Sequence, residues 1–160
     1  MLTISAALPE DAQRVLALQK LAYQSEARLY DDWSLPALTQ TLESLREEFA
    51  ASVVLEAVID ERIVGSVRAK VTAGTCAIGR LVVDPAFQGR GIGSKLLLAI
   101  EARFQGVARF ELFTGSKSAA NIRLYQRHGY VITRTQPLSA AVAITFLEKP
   151  GGAAPSSNSP

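Results

Sequence analysis

LVVDPAFQGRGIGSKLL, residues Leu81 to Leu97, decides the reading of this chain. Branched apolar residues, Leu81-Val82-Val83, read as the end of a strand, and Asp84-Pro85 stops it. Gly89, Gly91 and Gly93 then lead into a helix whose Leu96, Leu97, Ile100 and Phe104 share one face. Glycines at such a junction permit positive φ and let a ligand approach the backbone. The first N–H groups of a helix lack intrahelical partners and sit at the positive end of its dipole. The segment is therefore a built anion site, suited to phosphate or pyrophosphate, with Arg90 and Lys95 adding charge. Two known phosphate motifs do not fit it. In G-x-G-x-x-G the third glycine would fall on Ser94 or Leu96, although Glu111 lies where a ribose-binding acid could. Gly115-Ser116-Lys117-Ser118 has the letters of a P-loop but not its spacing.

Outward from this segment, Leu2 to Ala7 reads as an opening strand, and Pro9-Glu10-Asp11 starts a helix with Val15, Leu18, Leu21 and Ala22 on its apolar face. Tyr23 to Tyr30 suits either helix or loop. Ser34 reads as an N-cap with Pro36 just inside. Leu35, Leu38, Leu42, Leu45 and Phe49 follow at alternating three- and four-residue spacing, the pattern of one amphipathic helix. Val53 to Ile59, Ile63 to Val71 and Cys76 to Val83 form a three-strand meander, turned at Asp60-Glu61-Arg62 and around Gly74. After the glycine-rich helix come a strand (Val107 to Thr114), a short helix (Ser118 to His128) closed by Gly129, and strands Tyr130 to Thr135 and Ala141 to Leu147. The order β-α-α-β-β-β-α-β-α-β-β predicts a mixed α/β fold: a mostly antiparallel sheet of about seven strands flanked by four helices. Residues 1–149 read as one domain and 150–160, Pro, Gly, Ala, Ser and Asn only, as a disordered tail.

Composition excludes other classes. A chain of 160 residues, 48% of them hydrophobic, can bury a core without staples. One Cys (Cys76) and one His (His128) cannot build a Cys/His zinc site, so no metal is expected, and no intrachain disulfide can form. That usage suggests an intracellular, cytoplasmic protein. The start, MLTISAALPEDAQ, lacks the features of a signal peptide, and runs such as Ala140 to Ile144 fall far short of the ~20 residues of a membrane helix. The formal net charge is +2, but residues 1–61 carry 4 basic and 11 acidic side chains and the remainder carries 13 and 4. The basic residues form no block, which argues against nucleic acid as partner. The asymmetry suggests ligands, or two ends of one ligand, of opposite charge.

Two motifs carry a family resemblance. Gln88-x-x-Gly91-x-Gly93, after a strand ending in Val82-Val83, resembles the acetyl-CoA signature of the GNAT superfamily of N-acetyltransferases. Asn121-Ile122-Arg123-Leu124-Tyr125-Gln126-Arg127-His128-Gly129-Tyr130 resembles that family's second motif, a helix carrying Leu-Tyr and ending in Gly-aromatic. The resemblance covers residues 1–149 in element order. It implies transfer of an acetyl group from acetyl-CoA, the co-substrate, directly to a primary amine of a small molecule or peptide. It implies a sheet splayed at the acetyl-CoA site, between the third meander strand and the strand after the signature helix, with pantetheine pairing along Leu81, Val82 and Val83, and pyrophosphate on the amides of Gln88, Gly89, Arg90, Gly91, Ile92, Gly93 and Ser94. It places Ser118 and Asn121 where a polar side chain would bond the pantetheine amides. Tyr125 falls on the general-acid position, where a phenol of pKa roughly 10 suits a thiolate leaving group.

The strand before the signature has no acid where many relatives carry a general base. Glu111, or an acid of the first third acting through water, would have to serve. The alternative that this departure raises is a non-catalytic acyl-CoA-binding module of the same fold. In the family the acceptor side is formed largely by the connection between the first two helices, which here holds Glu26, Tyr30, Asp31, Asp32 and Trp33. Acids among aromatics suit a cationic amine. Read without the resemblance, Tyr125 is a core aromatic, His128 a helix C-cap, and Cys76 a small buried hydrophobe. Family members commonly form a homodimer through sheet edges or helices, and nothing in the sequence selects such pairing.

Overall fold

Two turns and one break explain most of the architecture. The computed structural model describes residues 1–152. Asp60 and Glu61 (φ 49° and 65°), and likewise Ala73 and Gly74 (φ 52° and 80°), lie in the left-handed region. Such two-residue loops match the twist of paired strands, so they close β2 (Val53–Ile59), β3 (Arg62–Thr72) and β4 (Thr75–Val83) into the expected meander. With β1 (Thr3–Ala6), β5 (Arg109–Gly115), β6 (Val131–Pro137) and β7 (Ala143–Pro150), they build one seven-stranded sheet in the order β1-β2-β3-β4-β5-β7-β6. Every pairing is antiparallel except β4 with β5. A parallel pair needs a crossover, and the glycine-initiated helix supplies it.

The leucine pattern of residues 35–49 does not make one helix. It is split into a short helix (Pro36–Thr39) and a longer one (Leu42–Ala51), following α1 (Ala12–Ala22) and α2 (Gln24–Tyr30); we number these α3 and α4. Gln40 is extended at the break, and the Thr41 hydroxyl caps α4 by accepting from the Ser44 amide at 3.1 Å. The physical reason is twofold. Gln40 turns inward, accepting from Gln19 (3.0 Å) and from the buried Arg68 (3.3 Å) and donating to Glu48 (2.6 Å). The leucine stripe also serves two masters: Leu35 and Leu38 pack with Ala27, Tyr30, Val142 and Ile144, whereas Leu42, Leu45 and Phe49 pack with Val15, Leu18 and Val82. With α5 (Ile92–Ala102) and α6 (Ala119–Arg127), the described residues hold six α-helices where four were expected. Ser34 is not a helix cap either; its N–H and hydroxyl both bond Asp32 Oδ1, and Leu35 stands at the N-cap.

The main core lies between the sheet and α5, where Leu96, Leu97 and Ile100 meet Val64, Val67, Cys76, Ile78, Phe110 and Leu112. At roughly 1.5–3 kcal/mol for each large apolar side chain buried, this cluster dominates the folding free energy. On the opposite face α1 and α4 cover Ile63 and Val82. Pro150, expected in the tail, closes β7, and the Gly151 amide donates to Ala108 O at 2.8 Å. The rest of the expected tail, residues 153–160, lies outside the described residues.

Candidate active site

The loop after β4 is held rigidly before it becomes a helix. Asp84 is buried; its Oδ1 accepts from the Ala86 amide (2.9 Å) and its Oδ2 from Arg62 (2.6 Å). Gly89 and Gly91 then adopt φ of 80° and 78°, a conformation that L side chains rarely take. Gly91 is the N-cap of α5 and offers no side chain to it. The first helical bond there is Lys95 N–H to Gly91 O at 3.1 Å, so the amides of Ile92, Gly93 and Ser94 point outward without intrahelical acceptors. They lie where the glycine pattern predicts an anion cradle. His128, at the C-cap of α6, places Nε2 2.9 Å from Ser94 Oγ and ties the two helices together at this point. Arg90 does not join the cradle: its guanidinium stacks over Phe87, 4.9 Å from the ring centroid, and Arg127 lines the cavity instead.

Beside the cradle the sheet splays. The parallel ladder joins only Thr75–Ala77 of β4 to Arg109–Glu111 of β5. Beyond it the backbone groups of Ile78 to Val83 have no strand partner on that side. A β-bulge lies at the same place: between Ser66 and Arg68 of β3, β4 carries an extra residue, with Arg80 at φ 52°. The bulge re-phases the strand. Ile78, Leu81 and Val83 face the α5 side, while Val82 faces α1 and α4. The opening is a cavity of about 600 Å³. It runs past Leu81, Val82, Val83, Gln88, Gly89, Gly91, Ile92, Gly93 and Ser94 to Asn121 and Tyr125, and on to Tyr23, Glu26, Tyr30 and Arg80.

Tyr125 is 6% exposed, packed against Tyr130 with ring centroids 6.1 Å apart. Burial, reinforced by Tyr23 and Glu26, pushes its phenol well above the ordinary tyrosine range, so it stays protonated at any physiological pH. No other described side chain hydrogen-bonds its hydroxyl. Asn121 lines the cavity and donates to Thr114 Oγ1 at 3.3 Å. Ser118 is turned away: it is buried at the N-cap of α6 and its hydroxyl donates to Glu26 Oε1.

The residues expected on the acceptor side separate. Glu26 and Tyr30 reach the cavity. The Tyr30 hydroxyl accepts from the Lys117 amide at 2.7 Å and packs so closely over Gly115 that a methyl there would sit 2.0 Å from it. Asp31, Asp32 and Trp33 do not line the cavity. Asp31 ends α2 in the left-handed region, Asp32 is occupied by Ser34, and Trp33 is 55% exposed. They form a solvated turn, in which the Asp32 carboxylate is turned back on the local chain at Ser34. Glu111 is also elsewhere, 3.7 Å from Arg134 on the distal part of β5. Glu26 is the single acid among the described residues lining the cavity. Tyr23, Arg80 and Arg127 were not anticipated. Arg127 stands in the second motif and Tyr23 in an ambiguous stretch, but nothing local marks Arg80 as a bulge.

The site is thus a cleft where the sheet splays beside a helix N-terminus, with a buried phenol in its wall. The sequence profile of the acetyltransferase (GNAT) family matches residues 13–130, and the chain belongs to that family. Among solved structures the chain resembles the PaiA N-acetyltransferase of Thermoplasma acidophilum in complex with coenzyme A (TM-score 0.78, 18% identity, 94% of this chain and 99% of that one). It also resembles the ribosomal-protein-S18-alanine N-acetyltransferase of Escherichia coli (TM-score 0.81, 17% identity, 99% of each chain). These likenesses show the fold. In sequence it is 40% identical over 70 residues to a mycothiol acetyltransferase of Mycolicibacterium gilvum, a match spanning 39% of this chain and 23% of that protein. Among the described residues no helix is long and apolar enough to cross a membrane.

Proposed function

We propose that this protein is an acetyl-CoA-dependent N-acetyltransferase acting on a primary amine of a small molecule or peptide. The observation that carries the reading is the continuity of one cavity from the free amides of Ile92, Gly93 and Ser94, along the unpaired edge of β4, to Tyr125 and Glu26. The residues fit the co-substrate: orphaned amides at a helix N-terminus match its pyrophosphate, and an unpaired strand edge matches the amide-bearing pantetheine. Bound acetyl-CoA supplies a thioester carbonyl to the amine, and the products are the N-acetyl compound and CoA.

Each protein group then has a task. The backbone N–H groups of β4 beyond Ala77 are donors for the carbonyl oxygen as it gains charge. Glu26 receives the amine's proton, directly or through water, while Ser118 holds the carboxylate in place. Tyr125 hydrogen-bonds the departing thiolate and protonates it. Its raised pKa does not defeat this step, because the burial that disfavours a phenolate disfavours a thiolate in the same place. Holding the reactants together supplies much of the acceleration.

The test is Tyr125→Phe. It removes one hydroxyl and keeps the packed ring, so the thermal stabilisation by acetyl-CoA should persist. CoA release with a panel of polyamines, aminoglycosides, amino acids and peptides should fall by roughly tenfold or more, about 1.4 kcal/mol in the barrier. Absence of acetyl-CoA binding at millimolar concentration refutes the reading. Binding without turnover on any amine favours a non-catalytic acyl-CoA-binding module.

A further inference from the structure

Arg80 is a cation without a counter-ion in the cavity wall. Its Nε is buried with no hydrogen-bond partner, and among the described residues it forms no salt bridge. Its guanidinium lies 5.9 Å from the centroid of Tyr23, at the α1–α2 junction. The neighbouring Arg68 has partners: Glu48, Gln19 and Gln40 satisfy it. Arg80 also occupies the bulge at φ 52°, an unfavourable conformation for any residue with a Cβ. A strained backbone and an unmatched buried donor are each costly, and folding alone would be better served by glycine there. The bulge turns Arg80 away from Leu81 and Val83, which face the α5 side and its phosphate cradle, and toward the elements that carry Glu26.

We infer that Arg80 binds a carboxylate of the acceptor, so that the substrate is an amine carrying a carboxylate on the same molecule. The inference rests on the acetyltransfer reading. Arg80 and Glu26 are the two charged side chains lining the acceptor end of the cavity, a complement to a zwitterion rather than to a polycation. A guanidinium presents its donors in a planar fork that matches a carboxylate with two parallel bonds. Leu35, Val142 and Ile144 wall the same end and leave room for an apolar body between the two charges.

Matched pairs test this: leucine against leucinamide, and 4-aminobutyrate against butylamine, titrated calorimetrically into the protein with and without saturating CoA. The carboxylated member should bind at least tenfold more tightly. Arg80→Gly, which relieves the positive φ and therefore folds, should erase that preference, and Arg80→Lys should keep part of it. With turnover, the loss should fall on KM for the carboxylated amine and spare kcat. Equal or weaker binding of the carboxylated members overturns the inference, as does a preference that survives Arg80→Gly. Failure of the acetyltransfer reading is seen separately, as absence of stabilisation by acetyl-CoA whatever the amines do.

Discussion

Replacing Glu56 by Gln should make the protein more stable above neutral pH and less pH-sensitive below it. Glu56 lies on β2 between Leu55 and Ala57, whose side chains enter the main core, so it points to the opposite face beneath α1. It is 8% exposed and its Oε1 is buried without a partner. Burial first, then its hydrogen bond to Asp11 and that group's charge, raise its pKa from 4.5 to about 7. Asp11 moves the other way: burial would raise it, but hydrogen bonds from Arg14 and the Leu8 amide outweigh that, and it stays ionised. A protonated Glu56 therefore donates to an Asp11 carboxylate. The native state holds this proton between about 4.5 and 7, whereas the unfolded chain has lost it, so stability falls as pH rises through that window and levels off above it. At about 1.4 kcal/mol per pH unit the full window would give at most about 3 kcal/mol, and a shift one unit smaller about 2 kcal/mol.

Urea unfolding of both proteins from pH 4.5 to 8.5 measures this, because a glutamine amide donates to Asp11 at every pH. Wild type should lose stability across the window while Glu56→Gln does not, and the variant should be the more stable by roughly 1–3 kcal/mol at pH 8. Parallel pH profiles for the two proteins refute the assignment of the proton to this pair.

Two other expectations are simpler. Gly91→Ala meets no atom within 4 Å but must adopt φ 78°, so it should cost about 1–2 kcal/mol, seen as a Tm lowered by roughly 2–4 °C per kcal/mol, and should weaken acetyl-CoA binding by disturbing the amides of α5. An unchanged acetyl-CoA affinity would remove Gly91 from the cradle. Cys76 is fully buried and its thiol is pushed up to about 11, so a chromogenic disulfide should find no reactive thiol in the native protein and one after denaturation. Prompt native labelling would show that β4 and α5 open locally.

What was legible without a structure was whatever depends on neighbours in the chain. The glycines at 89 and 91, the meander with its tight turns, and the Leu124-Tyr125 helix closed by Gly129 follow from backbone sterics and short periodicities. The expected acceptor end is less legible, because charge composition says how many acids a segment has and not where they point. Of the acids in residues 1–61, only Glu26 reaches the cavity, while Asp32 is engaged by Ser34 and Asp31 ends α2 in the left-handed region. The helix break at Gln40 was hidden for a related reason: the leucine spacing is continuous, and only the distant Gln19 and Arg68 draw Gln40 out of it.

By itself, then, the sequence determined the glycine turn that opens α5, the order of elements and the phenol on α6, since each is encoded within a few residues. Tertiary structure decided which groups surround them. The ladder between β4 and β5 stops after Ala77, the bulge at Arg80 puts a cation where a uniform strand would not, and α2 brings Glu26 against Ser118 across 92 positions of chain. These depend on which surfaces pack and on which polar groups must be satisfied once water is excluded, and no local pattern records either.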